Sequence, residues 1–155
     1  MTTDKRAILG EMLINRVRKN QRKLAKWRKR EQVSCYRLYD RDIPEIALTV
    51  DWYDGCIHAA EWTRTRDRDD PRQAAQRNAW LVRTLGQALG CEAADVFLKT
   101  RERQRGDAQY KRSGRRYVQD KDSRRIQVHE ADLRFWVNLR DYVDTGLFLD
   151  HRQTR

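Results

Sequence analysis

Hydrophobic positions recur along this chain with two different periods, and the changes between them divide it into elements. From residue 4 to residue 31, Ile8, Met12, Leu13, Val17, Leu24 and Trp27 return at roughly helical spacing, with no proline to interrupt them. That pattern predicts one long helix, with Thr2, Thr3 or Asp4 placed to cap it. The period then shortens. Ser34 to Asp40 is a tyrosine-rich run, and Ile46, Leu48, Val50 and Trp52 alternate with polar residues up to Tyr53, as a half-buried strand requires. Asp54-Gly55 follows as a two-residue hairpin turn in which both positions need positive φ, and Cys56 to Trp62 returns antiparallel.

A charge-mixed loop, Arg64 to Asp70, leads into a second helical pattern. Asp69 or Asp70 can cap it, Pro71 suits its first position, and Ala75, Leu81, Val82, Leu85, Ala88 and Leu89 line one face. Gly90 stands where a left-handed C-terminal cap belongs. Asp95 to Thr100 is a fourth strand. Arg125 to Glu130 and Leu133 to Leu139 form a second hairpin across Ala131-Asp132. In its second arm Leu133, Phe135, Val137 and Leu139 face one way and Arg134, Trp136 and Asn138 the other. The order predicts an α+β fold: a long N-terminal helix, then an antiparallel or mixed sheet of about six strands with one covering helix. The organisation expected is a basic N-terminal helix over 1–31, an α+β body over 32–140, and a linker over 141–155. In that linker Leu147, Phe148 and Leu149 are a hydrophobic cluster with nothing after them to pack on, so the segment reads as the lead-in to a further domain.

Charge changes this picture more than composition does. The chain carries +11, but residues 5–30 alone hold eleven basic and one acidic residue, and residues 99–125 hold eleven basic and four acidic. The remainder is therefore mildly acidic. Two concentrated basic segments on such a body fit an RNA- or DNA-binding module. Crowded guanidinium groups repel one another unless a polyanion lies against them, and arginine suits both forked hydrogen bonding to phosphate and stacking on bases. A basic amphipathic helix also fits a membrane surface or a protein partner, but its apolar stripe is thin in large aliphatics for membrane docking.

Enzymatic parts are missing from the motif inventory. There is no glycine-rich phosphate loop, and His58, His129 and His151 stand apart from any nucleophile or metal-ligand spacing. His58 reads as a packed, hydrogen-bonded strand histidine. Cys35, Cys56 and Cys91 are odd in number, widely spaced and set among apolar residues, which fits reduced thiols in a cytoplasmic protein and no metal site. No run approaches the length of a membrane span, and the N-terminus lacks the apolar core of a signal peptide.

Particular motifs then carry a resemblance. Asn15-Arg16, Lys19-Asn20 and Lys23-Leu24, followed by the run from Cys35 to Asp40, resemble the opening of the RlmK half of bacterial RlmKL proteins. So do Ile43-Pro44-Glu45 and Val50-Asp51 with Tyr53. The runs from Leu98 to Gly106 with Gln109-Tyr110, from Trp136 to Leu139, and from Asp144 to Arg152 match more closely still.

The resemblance implies an S-adenosylmethionine-dependent methyltransferase acting on N-7 of a guanine in 23S ribosomal RNA. In that family an α+β substrate-side domain precedes a Rossmann-like domain that holds the cofactor and the catalytic machinery. This chain corresponds to the first part, so it is expected to hold no cofactor and to transfer no methyl group alone. Lys99, Arg101, Arg103, Arg105 and Lys111 would contact RNA, with Lys19, Arg22, Lys23 and Lys26 adding electrostatic grip. Gln104 and Tyr110 would meet an unpaired base. Asp150 and Arg152 would border the cofactor pocket. The implied partners are 23S ribosomal RNA and the further methyltransferase domain. The alternatives are a stand-alone RNA-binding protein or a basic protein- or membrane-surface module.

Overall fold

A computed structural model describes residues 3–63, 70–102, 124–142 and 144–155. In chain order the elements are α1 (Thr3–Arg30), β1 (Cys35–Asp40), β2 (Leu48–Tyr53), β3 (Cys56–Thr63), α2 (Pro71–Leu89), β4 (Val96–Glu102), β5 (Arg125–Glu130) and β6 (Leu133–Asn138). A short 3₁₀ turn, Ala93–Asp95, leads into β4, and another, Leu149–Thr154, follows β6. The architecture is α+β, as the pattern predicts.

The turns form where their chemistry allows. Asp54 and Gly55 have φ of 43° and 96°, so β2 and β3 close as a tight hairpin. At the end of α2, Gly90 has φ 70° and donates its N–H to the Gly86 carbonyl. Asp70 is the N-cap of α2, although its side chain makes no capping bond. Asp69 and the Arg64–Asp69 loop lie outside the described residues, as does Thr2.

The six strands among the described residues form a four-stranded mixed sheet, in the order β1-β2-β3-β4, and a separate β5-β6 hairpin. The first three strands are antiparallel; β4 runs parallel to β3. A parallel neighbour requires a long crossover, and α2 supplies it. The hairpin joins the sheet through the Val33–Glu130 bridge and the bond from the Ser34 N–H to the His129 carbonyl.

One face of the sheet is covered by both helices. Leu48, Val50, Ile57, Ala59 and Val96 meet Leu9, Leu13 and Val17 of α1 and Leu81, Leu85 and Ala88 of α2. The long helix is thus part of the core. Two details depart from the expected pattern. Ile8 is 58% exposed and Met12 45%, while Leu9 is buried. At 100° per residue Leu9, Leu13 and Val17 stand on one arc, and Ile8 and Met12 lie about 100° and about 60° outside it. Ala75 is also exposed, because the buried arc of α2 starts at Leu81.

The second face is only partly covered. Tyr53, Cys56 and Phe97 of the sheet, with Cys35, pack against Val128 and Val137 of the hairpin and Leu139. Leu147 and Leu149 pack against this same cluster, so the expectation that they lack a packing surface is corrected; Phe148 remains 60% exposed. Arg155 makes two bonds to the buried Glu130 carboxylate, tying the last turn to the hairpin.

Candidate nucleic-acid interface

The basic residues of α1 separate by helical geometry into those that hold the fold and those that face outward. Arg18 donates to the carbonyls of Ala88 (3.1 Å) and Gln87 (2.9 Å), satisfying acceptors at the C-terminal end of α2. Asn20 donates to the Leu38 carbonyl at 2.8 Å and to Asp42 at 3.0 Å, fixing α1 to β1. Lys19, Arg22, Lys23 and Lys26 follow one another at i, i+3, i+4 and i+7, a single stripe, and all four are exposed. None has an acidic partner among the described residues. A run of unneutralised cations spaced along a rigid rod is suited to a polyanion.

A different kind of site lies on the partly covered face of the sheet. Alternation along β3 puts His58, Ala60 and Trp62 on that face, opposite Ile57 and Ala59. Across the strands, Arg37 on β1, Asp51 on β2, His58 on β3 and Phe97 on β4 stand in register. Ala60 and Trp62 are in register with Lys99 and Arg101 of β4. Arg37, Asp51, His58, Ala60, Trp62 and Arg101, with the segment Asp144 to Asp150, line a recess of about 200 Å³.

Its charges are mostly paired. Arg37 grips Asp51 through two bonds, Nε–Oδ1 at 2.8 Å and Nη2–Oδ2 at 3.2 Å. Burial pushes the Asp51 carboxyl up, against the pull of Arg37. Arg101 donates to Asp144 at 2.6 Å and lies 5.6 Å from the centre of the Trp62 ring. The Lys99 ammonium donates to the Arg140 carbonyl, and burial lowers its pKa. Tyr53 and Thr145 share a hydroxyl hydrogen bond of 2.9 Å. His58, 4% exposed, has no hydrogen-bond partner at Nε2 among the described residues, which corrects the expectation of a hydrogen-bonded strand histidine. Burial, with the nearby Lys99 and Arg101, lowers its pKa to about 4, so the ring is neutral at pH 7.

The residues expected to contact RNA therefore occupy different places. Lys19, Arg22, Lys23 and Lys26 share one outward stripe of the helical layer. Lys99 and Arg101 lie on the other face of the sheet, and Arg101 lines the recess. Arg103, Gln104, Arg105, Tyr110 and Lys111 lie outside the described residues. Asp150 stands at the recess mouth, exposed, with His151 3.9 Å away. Arg152 turns from the recess to Glu31, which it contacts at 3.2 Å through both terminal nitrogens, and lies 5.3 Å from the centre of the Trp27 ring. Sequence reasoning did not assign Arg37, Asp51, His58 or Trp62 to a site. The available signal was the His58-Ala60-Trp62 alternation, which places imidazole, methyl and indole in a row.

Among the described residues no helix is long and apolar enough to cross a membrane, and no group of three or more His, Cys, Asp or Glu side chains is placed to hold a metal ion.

No protein-family model matches the chain. Curated relatives do. The chain is 46% identical over 146 residues to ribosomal RNA large subunit methyltransferase K/L of Chromohalobacter salexigens. It is 46% identical over 149 residues to the protein of that name from Methylococcus capsulatus, and 44% identical over 146 residues to that of Pseudomonas aeruginosa. Each match takes in 94% of this chain and 19% of the relative. The fold is similar to a third of a putative methyltransferase crystallised with SAH (TM-score 0.59, 19% identity, 94% of this chain and 34% of that one). A putative SAM-dependent methyltransferase from Streptococcus mutans superposes with the same score at 16% identity, over 94% of this chain and 34% of its own. Over nearly its whole length the chain is homologous to the bacterial ribosomal RNA large subunit methyltransferase K/L family, spanning about a fifth of its members' length.

Proposed function

We propose that this chain is the RNA-engaging N-terminal domain of an S-adenosylmethionine-dependent 23S rRNA (guanine N-7) methyltransferase. In this reading it positions the ribosomal RNA while a further domain holds the cofactor and transfers the methyl group. The exposed stripe Lys19, Arg22, Lys23 and Lys26 on α1 is the observation that carries it. These four cations project from a helix whose other side is anchored in the core, so their spacing is preset before RNA arrives. Homology to a family named for ribosomal RNA methylation supplies the polyanion. Lys99 and Arg101 extend the contact on the other sheet face, with Arg103, Gln104, Arg105, Tyr110 and Lys111 following in the chain. In this reading Asp150, exposed at the recess mouth, and Arg152, which contacts Glu31, would border the cofactor pocket of the further domain.

The test is binding of the 155-residue chain to a 23S rRNA fragment, followed by fluorescence anisotropy over a range of salt. The triple variant K19E/K23E/K26E is expected to bind more weakly and to lose about 2–3 from the slope of log affinity against log salt, close to one per phosphate contact. A triple variant with the affinity and slope of the parent removes α1 from the contact. Binding to anionic vesicles without binding to RNA transfers the stripe to a membrane-surface role.

A further inference from the structure

We infer that the recess between His58 and Trp62 receives one unpaired nucleobase, stacked on the Trp62 indole and contacted at its edge by the His58 imidazole. This rests on the RNA-binding reading above and adds to it a base-contacting site distinct from the backbone-gripping stripe.

The shape comes from the strand itself. His58, Ala60 and Trp62 are successive same-face residues of β3, and the single methyl of Ala60 leaves a depression between two rings. Thr49 of β2 lies opposite Ala60 on one side and Lys99 of β4 on the other. At about 200 Å³ the space is below the roughly 300–1,000 Å³ of sites for drug-sized ligands, and it suits one flat ring system.

The chemistry excludes phosphate as the natural occupant. Arg37, Arg41 and Arg101 face Asp51, Asp144 and Asp150 across the lining, so the charges balance. Arg37 is held by Asp51, Arg101 by Asp144, and Arg41 by Asp40 at 2.8 Å. The stripe on α1 has no such acidic partners. A lining with both donors and acceptors and no excess charge matches the edge of a neutral heterocycle. Trp62 is 39% exposed and joins neither hydrophobic core cluster, and Arg101 already lies over its ring; indole and guanidinium are both surfaces on which bases stack. His58 supplies the remaining part. Its Nε2 is buried and unpartnered among the described residues, an arrangement that is costly unless something pairs with it. The ring is neutral at pH 7, so each of its nitrogens can serve only as donor or as acceptor.

The experiment compares two RNAs of equal length, a hairpin with an unpaired loop and a fully paired duplex, binding to the wild-type chain, W62A and A60L. Trp62 is at the surface, so W62A is expected to fold; A60L fills the recess and serves as a second probe. W62A should weaken loop RNA binding by about tenfold, equivalent to about 1.4 kcal/mol, while duplex affinity and salt dependence stay unchanged. A W62A chain that binds loop RNA like the wild type overturns the recess while RNA binding itself stands. Equal weakening for both RNAs, with an unchanged melting temperature, also overturns it and makes Trp62 a backbone contact. A wild-type chain that binds neither RNA overturns the RNA reading and the recess with it.

Discussion

His58 offers a direct test of how the polar recess is built, because its burial has a thermodynamic consequence that pH can read. The ring is flanked in register by Asp51 and Phe97, and meets the Tyr53 ring edge-on with centroids 6.4 Å apart. Burial is the largest influence on it. The cations Lys99 and Arg101, and more weakly Arg37, act in the same direction, while Asp144 opposes them, and the pKa falls from 6.5 to about 4. A base whose folded pKa is depressed binds its proton more tightly in the unfolded chain. Between pH 4 and 6.5 the unfolded state therefore takes up more protons, and stability rises with pH across that window. The contribution is complete above about pH 6.5 and is lost as pH falls toward 4. At about 1.4 kcal/mol per unit, it amounts to about 3 kcal/mol. Asp51, whose pKa is raised by burial, adds its own pH dependence, so the useful quantity is a difference. Urea unfolding of the wild type and of His58→Gln from about pH 4 to about pH 7 should show the wild type's relative stability falling by about 3 kcal/mol as the solution is acidified. An NMR titration of the imidazole gives the same quantity directly. A ring that titrates at or above 6.5, or a variant whose stability follows pH as the wild type's does, would refute the buried neutral imidazole.

Two further substitutions test the helices. Leu13 is fully buried between α1 and the core, so Leu13→Ala is expected to cost about 2–5 kcal/mol in chemical denaturation; a cost under about 1 kcal/mol would mean that α1 does not pack as described. Gly90 holds φ 70° with open space around its missing Cβ, so Gly90→Ala should destabilise through backbone strain alone, by about 1–2 kcal/mol, seen as a lower melting temperature. An unchanged melting temperature would show that α2 can end without the left-handed cap.

The elements whose cause is local were legible before any coordinates. Asp54-Gly55, Gly90 and the alternation from Leu48 to Tyr53 each express backbone or pleat geometry within a few residues, and each stands where the pattern put it. Helix faces were legible only in part. Ile8 and Met12 are as hydrophobic as Leu9, and the choice among them is made by α2 and the sheet, which no local period encodes. The parallel pairing of β3 with β4, and the division of six strands into four and two, depend on which distant segments meet. The packing of Leu147 and Leu149 against Cys35, Tyr53 and Phe97 is equally non-local. The recess was invisible for the same reason: its lining comes from β1 to β4 and from a segment that follows the hairpin.

The two faces of the sheet explain why function should concentrate where it does. The helical face is closed by aliphatic side chains from both helices, and its buried Glu61 is paired with Arg77 of α2. On the other face, the hairpin, Leu139, Leu147 and Leu149 cover Tyr53, Cys56 and Phe97, but Thr49, Asp51, His58 and Ala60 are buried around a recess. A longer apolar cover over Ala60 would give a more stable protein, since it would bury more surface and leave no polar nitrogen to satisfy. The chain instead keeps a neutral imidazole and an exposed indole on either side of Ala60, with the arginines around them each paired to a carboxylate. That is the expense a fold accepts at a contact surface, where local rules are broken for a partner. The α1 stripe follows the opposite logic, because solvated lysines along a helix cost the fold little. If the proposed reading holds, a division of labour follows: the stripe would supply affinity that salt weakens, the recess would supply contact with a base, and mutations at one should leave the characteristic readout of the other intact.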